Sequence, residues 1–293
     1  MEAIKNRYEF VVLFDVENGN PNGDPDAGNM PRTDPEKGLG IVTDVCLKRK
    51  IRNFVEIVKE GEPGYNILIK TDKSLNDKFA EAHEALGTKE KKKPTADDIA
   101  AARKFMCESY FDVRTFGAVM STGDNPCGIV RGPVQMNFAR SIDPILPSEL
   151  TITRQAITDA KTFQERSDKN GVMTEMGKKY VVPYALYRAE GYVSAMLAQK
   201  QTGFSEEDLE LLWTAIINMF EHDHSAARGK VCVRKLYVFK HESVLGNAPS
   251  VLLFEKIKVE KKEGVEYPRS ISDYEISVDR EMPAGVELIE KLA

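Results

Sequence analysis

The chain has 293 residues, 42% hydrophobic and 30% charged, a globular mixture that allows a sizeable core and excludes global disorder. No run approaches the ~18 apolar residues that cross a bilayer, and the opening MEAIKNRYEF scatters charges where a secretory signal needs an apolar stretch. Four isolated cysteines (Cys46, Cys107, Cys127 and Cys232) suggest neither zinc pairing nor a disulfide framework, so a reducing cytoplasm and no membrane are expected. The net charge of -5 argues against a simple nucleic-acid binder, but it is unevenly spread. The acidic tail, 273–293, holds six acids against two bases, hence -4 of the total, and leaves residues 1–272 near -1 with local basic blocks. Patches, not totals, decide phosphate affinity.

Residues 8–15 (YEFVVLFD) form a short apolar, β-branched and aromatic run that predicts a buried strand. The Asn-, Gly-, Pro- and Asp-rich stretch after it must be loop. Its oxygens, from Asp15 to Asp26, have cation-like spacing but lack the EF-hand order, so a turn-rich loop without metal is the expectation. A helix follows: Leu47, Ile51, Phe54, Val55 and Val58 make one apolar stripe, with Thr43 as N-cap and Asp44 placed for the helix dipole. Lys48, Arg52 and Lys59 flank that stripe and Arg49 points further outward. Lys48, Arg49, Lys50 and Arg52 crowd within five residues, directly after a flexible loop and a helix N-terminus, a combination that suits a phosphate chain and equally a solvated helix face.

Residues 60–110 read as an insertion with a small strand at 65–70, a charged loop tip at 89–93 and a helix over 97–108. Thr95 and Asp98 make its capping-box-like start. Residues 130–140 have strand character broken by Gly132 and Pro133, which suggests an edge or a bulge. Residues 141–179 are polar with little core potential, and Asn170-Gly171 is a hairpin-turn signal. Strand character returns over 180–196. Ser205 caps a second helix with Leu209, Leu212, Trp213, Ile216 and Phe220 on one face, and strands are expected over 230–241 and 251–258. The order is that of an α+β protein with a modified ferredoxin-like or RRM-like βαββαβ sheet, large insertions and one open face.

Catalytic signals are few. His222 and His224 lie beside Glu221 and Asp223 but two apart at a helix end, without metal-ligand spacing. The SAARGK turn that follows suits a phosphate and equally an ordinary helix-to-strand loop.

Five segments, FDVENGNPNGDPDAGNMPRTD, GLGIVTDVCLKRKIR, FDVRTFGAVMS, RGPVQMNFARSIDP and EHDHSAARGKVCVRKLYVF, resemble in this order the major guide-RNA-binding backbone subunit of type I-C CRISPR Cascade, of the repeat-associated mysterious protein (RAMP) superfamily. The likeness spans roughly 8–245. It implies a single RRM-like palm with a finger-like insertion at about 60–110 and a thumb hairpin at 141–180. Copies would run head to tail along one CRISPR guide RNA, with other Cascade subunits, presenting the guide to a target DNA strand. Thr43, Lys48, Arg49 and Arg52 fall on the segment that grips guide phosphates. Asn18, Asn20 and Arg32 border the same groove, and Gln135 and Arg140 lie on the palm strand and its exit. Arg228 lies in the SAARGK turn. In the thumb, Met173 or Met176 would wedge between bases, with Lys178 and Lys179 near the backbone. No cofactor and no catalytic residue is implied. The alternative, an endoribonuclease processing the guide precursor, would use His222 or His224 as base and Arg228 or Lys230 for charge.

Overall fold

The computed structural model describes residues 2–89, 94–169, 171 and 173–292. Its centre is β1 (Tyr8–Gly19), a strand that continues four residues past the apolar 8–15 run. α1 (Asp44–Val58) follows, started by Thr43, whose side chain accepts from the Cys46 N–H. Strand β2 comes in two pieces, Val134–Met136 and Ala139–Pro144, and β3 is the long strand Glu175–Val193. α2 (Glu206–Asn218) and β4 (Lys230–His241) complete the set.

β1 pairs antiparallel with β3, Tyr8 opposite Val193, and with β4, Tyr8 opposite Lys240. β2 pairs antiparallel with β3, Met136 opposite Gly191 and Arg140 opposite Arg188. The spatial order β4-β1-β3-β2 makes the expected α+β, ferredoxin-like βαββαβ palm. Leu39–Val42 extends it beside β2, and Val286–Leu292 extends it beside β4.

Alternation along β1 builds two cores. Phe10, Val12, Phe14 and Val16 face α1 and α2, packing with Leu47, Ile51, Leu212 and Trp213. Val11 and Leu13 face the other way, and with Tyr237 and Phe239 they meet Leu253, Phe254, Ile257 and Tyr274. The expected open sheet face is therefore closed. A short helix, Ser250–Phe254, and the strand pair Ile257–Lys261 with Tyr274–Val278 cover it, where a strand over 251–258 was expected. The apolar run there is too short for periodicity to separate helix from strand. Acidic residues 273–293 thus include two strands of the fold.

The insertion has its own core, from Leu68 through Phe79, Met106 and Cys107 to Val130, so it reaches beyond residue 110. Helix Ala96–Ser109 starts on the expected capping box, Thr95 with Asp98. Residues 65–70 are not a strand. Asn66 makes one bridge to Tyr110, while the Leu68 and Ile69 N–H groups donate to the buried Asp112 carboxylate. The charged tip at 89–93 lies, except for Lys89, outside the described residues.

A third region is an arm: the first half of β3 pairs with Ser148–Arg154, Met176 opposite Thr153 and Lys178 opposite Thr151. Every residue of Ser148–Arg154 is exposed. A connection containing helix Ala160–Asp168 joins the two strands; the hairpin turn expected at Asn170-Gly171 falls on Asn170, which lies outside the described residues.

Candidate nucleic-acid interface

The loop after β1 is ordered against α1. Asn22 Oδ1 accepts from both the Thr43 N–H (2.9 Å) and the Thr43 hydroxyl (3.0 Å), tying the loop to the helix N-cap. Short strands Gly23–Asp24 and Met30–Pro31 pair within it. Asn18 takes a left-handed conformation (φ 52°) that asparagine tolerates better than most residues. Opposite, the 225–229 turn closes on the same strand end: the Arg228 guanidinium donates to the carbonyls of Asn20 (3.2 Å) and Pro21 (2.9 Å) and pairs with Asp223. Gly19 and Gly229 permit this contact, since a Cβ on Gly19 would fall 1.7 Å from the Arg228 carbonyl oxygen.

Two buried side-chain atoms in this loop lack a hydrogen-bond partner among the described residues. Asn20 donates its amide to the Asn29 carbonyl, but its buried Oδ1 has no donor. Arg32 lies near Asp24 (3.6 Å), yet its buried Nε has no acceptor. Neither atom has accessible surface, so neither faces the solvent side of the loop.

On α1, Lys48 Nζ sits 2.9 Å from Asp44, 3.3 Å from the Gln135 amide oxygen and 5.5 Å from the Phe116 ring centroid. Its side chain is 11% exposed, so it is held on a fixed path. Arg49, one step outward, is half-buried and has no ion-pair partner among the described residues. Arg52 is buried, its Nε 2.8 Å from Asp112 and its guanidinium over the Phe116 ring. Lys50 is buried against Asp223 at 2.6 Å.

Thr43, Lys48 and Gln135 thus lie together, bordered by the loop of Asn18, Asn20 and Arg32 and by Arg228, while Arg49 lies one step round α1 from Lys48. Arg52 lies beneath it. Arg140 is exposed further along β2 and pairs with Asp34 at 2.8 Å. Met173, Met176, Lys178 and Lys179 stand on the arm; Met176 is 77% exposed, Met173 is half-buried, and Lys178 pairs with Glu149. Three contributors escaped residue reading. Asn22 holds the N-cap, and Asp112 and Phe116 anchor Arg52 and Lys48 from 60 or more positions away. Nothing but their place in the FDVRTFG segment could have marked the last two.

His222 and His224 are exposed in the turn after α2, and His222 tilts against Phe54. The acids of the 15–26 loop are engaged in part: Asp15 pairs with Arg234, Glu17 with Lys230 and Asp24 with Arg32. No described helix is long and apolar enough to cross a membrane.

The family description "CRISPR-associated protein Cas7" matches residues 6–279. The chain belongs to the Cas7 family. A Cas7 protein of Haloferax volcanii is 33% identical over 233 residues, which are 73% of this chain and 65% of the relative; the match therefore spans less than two thirds of that protein. Two solved structures are similar at low identity. One, described as a CRISPR RNA-guided surveillance complex, pre-nicking, has 13% identity and a TM-score of 0.46, covering 80% of this chain and 75% of that one. The other, a CRISPR RNA-guided surveillance complex, has 15% identity and a TM-score of 0.42, covering 80% and 68%. The Cas7 match encloses every element of the interface.

Proposed function

We propose that this Cas7-family chain binds a CRISPR guide RNA along its phosphate backbone, as a repeated non-catalytic subunit of a Cascade surveillance complex of the I-C type. The observation behind this reading is the α1 start: Lys48 and Arg49 follow a helix N-terminus capped by Thr43, beside a loop that Asn22 ties to that cap. An ammonium and a guanidinium beside a helix N-terminus suit phosphate oxygens, so the site fits RNA backbone without reading bases. Thr43, Gln135, Asn18, Arg140 and Arg228 border the path, and Arg52 supports it from below.

The bases are then free to pair with a target DNA strand, which supplies sequence specificity. The arm acts as the thumb. Met176, the more exposed methionine, is the better wedge, with Lys178 and Lys179 beside it. Copies associate head to tail, since one strand held by many subunits needs a heterologous contact, and other Cascade subunits close the ends.

Filter binding of a repeat-containing RNA across a salt series tests the reading. Wild type should retain intact RNA in length-dependent multiples. A Lys48→Ala/Arg49→Ala variant should bind at least tenfold more weakly, with a salt slope shallower by about 1.4, about 0.7 for each lost single-strand phosphate contact. Equal binding by the variant would move the groove elsewhere. RNA recovered cut by wild type and intact after His224→Ala would make the protein a nuclease.

A further inference from the structure

A second cationic site lies against the strand Gly128–Arg131, which leads into β2. Helix Ala96–Ser109, strand Gly128–Arg131 and the turn Ala198–Thr202 enclose a cleft of about 790 Å³. Its charged lining is Arg103, Lys104, Glu108, Arg114, Arg131 and Lys200. Arg114 is committed to the floor: buried, it bonds both Asp208 oxygens at 2.8 Å and the carbonyls of Gly64 and Cys107. Lys104 stands 3.8 Å from Glu108. That leaves Arg103, Arg131 and Lys200, all exposed and none with an ion-pair partner among the described residues.

Three uncompensated cations around one concavity form a local positive patch in a chain of net charge -5, and patches decide phosphate affinity. The walls are pinned. The Arg131 N–H donates to Gln201 Oε1 at 3.1 Å, fastening the strand to the turn. The turn itself is one π-helical loop closed by Gly203 N–H to the Ala198 carbonyl, a geometry found often at functional sites. Ile129, 56% exposed between these charges, offers an apolar seat. Two guanidinium forks, an ammonium and an apolar platform match phosphates with an intervening sugar or base.

We infer that this cleft is a second nucleic-acid site, taking the phosphate backbone of a single strand other than the guide. The inference goes beyond the guide groove, which lies past Gly132 on the Gln135 side, where the Gln135 amide donates to the Phe116 and Gly132 carbonyls.

The test uses the full chain saturated with guide RNA, titrated with a fluorescent twenty-nucleotide oligo-dT that cannot pair with the guide. Fluorescence anisotropy across a salt series is read for wild type, Arg103→Ser/Arg131→Ser/Lys200→Ser, Arg103→Lys/Arg131→Lys, and the groove variant Lys48→Ala/Arg49→Ala. Wild type should bind the oligonucleotide while loaded. The triple Ser variant should lose at least tenfold, with a salt slope shallower by about 2, and keep its guide affinity. The Lys variant, equally folded and still cationic, should retain binding within about threefold. Undiminished oligo-dT binding by the Ser variant, full displacement by excess guide, or displacement by inorganic triphosphate at the same concentration as by oligo-dT overturns the second site. If the groove variant keeps its guide while the Ser variant loses the oligonucleotide, the groove assignment fails and the cleft stands.

Discussion

Buried charge is the feature that residue patterns conceal best in this chain. Asp112, 1% exposed, accepts from Arg52 and from the Leu68 and Ile69 N–H groups. Removing it would leave a buried guanidinium unpaired, so Asp112→Ala should cost about 3–5 kcal/mol, read by urea unfolding. Glu9 and His241 are likewise fully buried. The His241 Nδ1 accepts from the Asn247 N–H at 2.8 Å, so Nε2 holds the ring proton and donates it to Glu9 at 2.6 Å, while Arg7 neutralises the carboxylate. Burial drives the thiols of Cys107 and Cys127 up to about 11 and about 12. Both stay protonated and unreactive at neutral pH, since the thiolate is the nucleophile. Thiol titration at pH 8 should therefore find at most two fast groups in the native protein and four in urea.

Among the elements, the two palm helices were the most legible, whereas the helix Leu75–Ala85 was not expected. α1 is capped by Thr43 and buries Leu47, Ile51, Phe54 and Val55, though Val58, at its end, faces solvent. α2 begins on a capping box of Ser205 and Asp208 and buries Leu209, Leu212, Trp213 and Ile216. Ser205→Ala should cost about 1 kcal/mol in denaturant unfolding. The arm is the opposite case: its short strand is wholly exposed and its helix buries nothing. Met176→Ala should leave the melting temperature unchanged, because no packing is lost, and should weaken target-strand pairing on a guide-loaded assembly. A fall in melting temperature would make Met176 a packing residue.

The palm as a whole depends on chain segments remote from it. Its second face is sealed by residues 250–278, so Val11, Leu13, Tyr237 and Phe239 have core partners from the last fifth of the sequence. Truncation after Lys256 should expose this face, giving a protein that binds a hydrophobic dye and aggregates, visible by fluorescence and light scattering. The edge is extended by Val286–Leu292 beside β4, where Glu287 is exposed and Glu290 pairs with Arg280, charges that blunt an edge against further strand addition.

What could be read from residues was whatever local periodicity and capping encode. Both palm helices, their N-caps, the capping box at Thr95, the strand 230–241 and the break at Gly132-Pro133 all follow from neighbours within a few positions. The cluster of Lys48 and Arg49 was legible for the same reason. Long-range pairing decided the rest. Whether residues 65–70 form a strand depends on a carboxylate at 112, and whether Arg52 faces solvent depends on that same carboxylate and the ring at 116. Closure of the sheet's second face depends on contacts across more than 230 residues, as between Val11 and Leu253 in one core. A short apolar run carries no mark of its partner, because burial is non-directional and only the assembled sheet says which surface is left to cover.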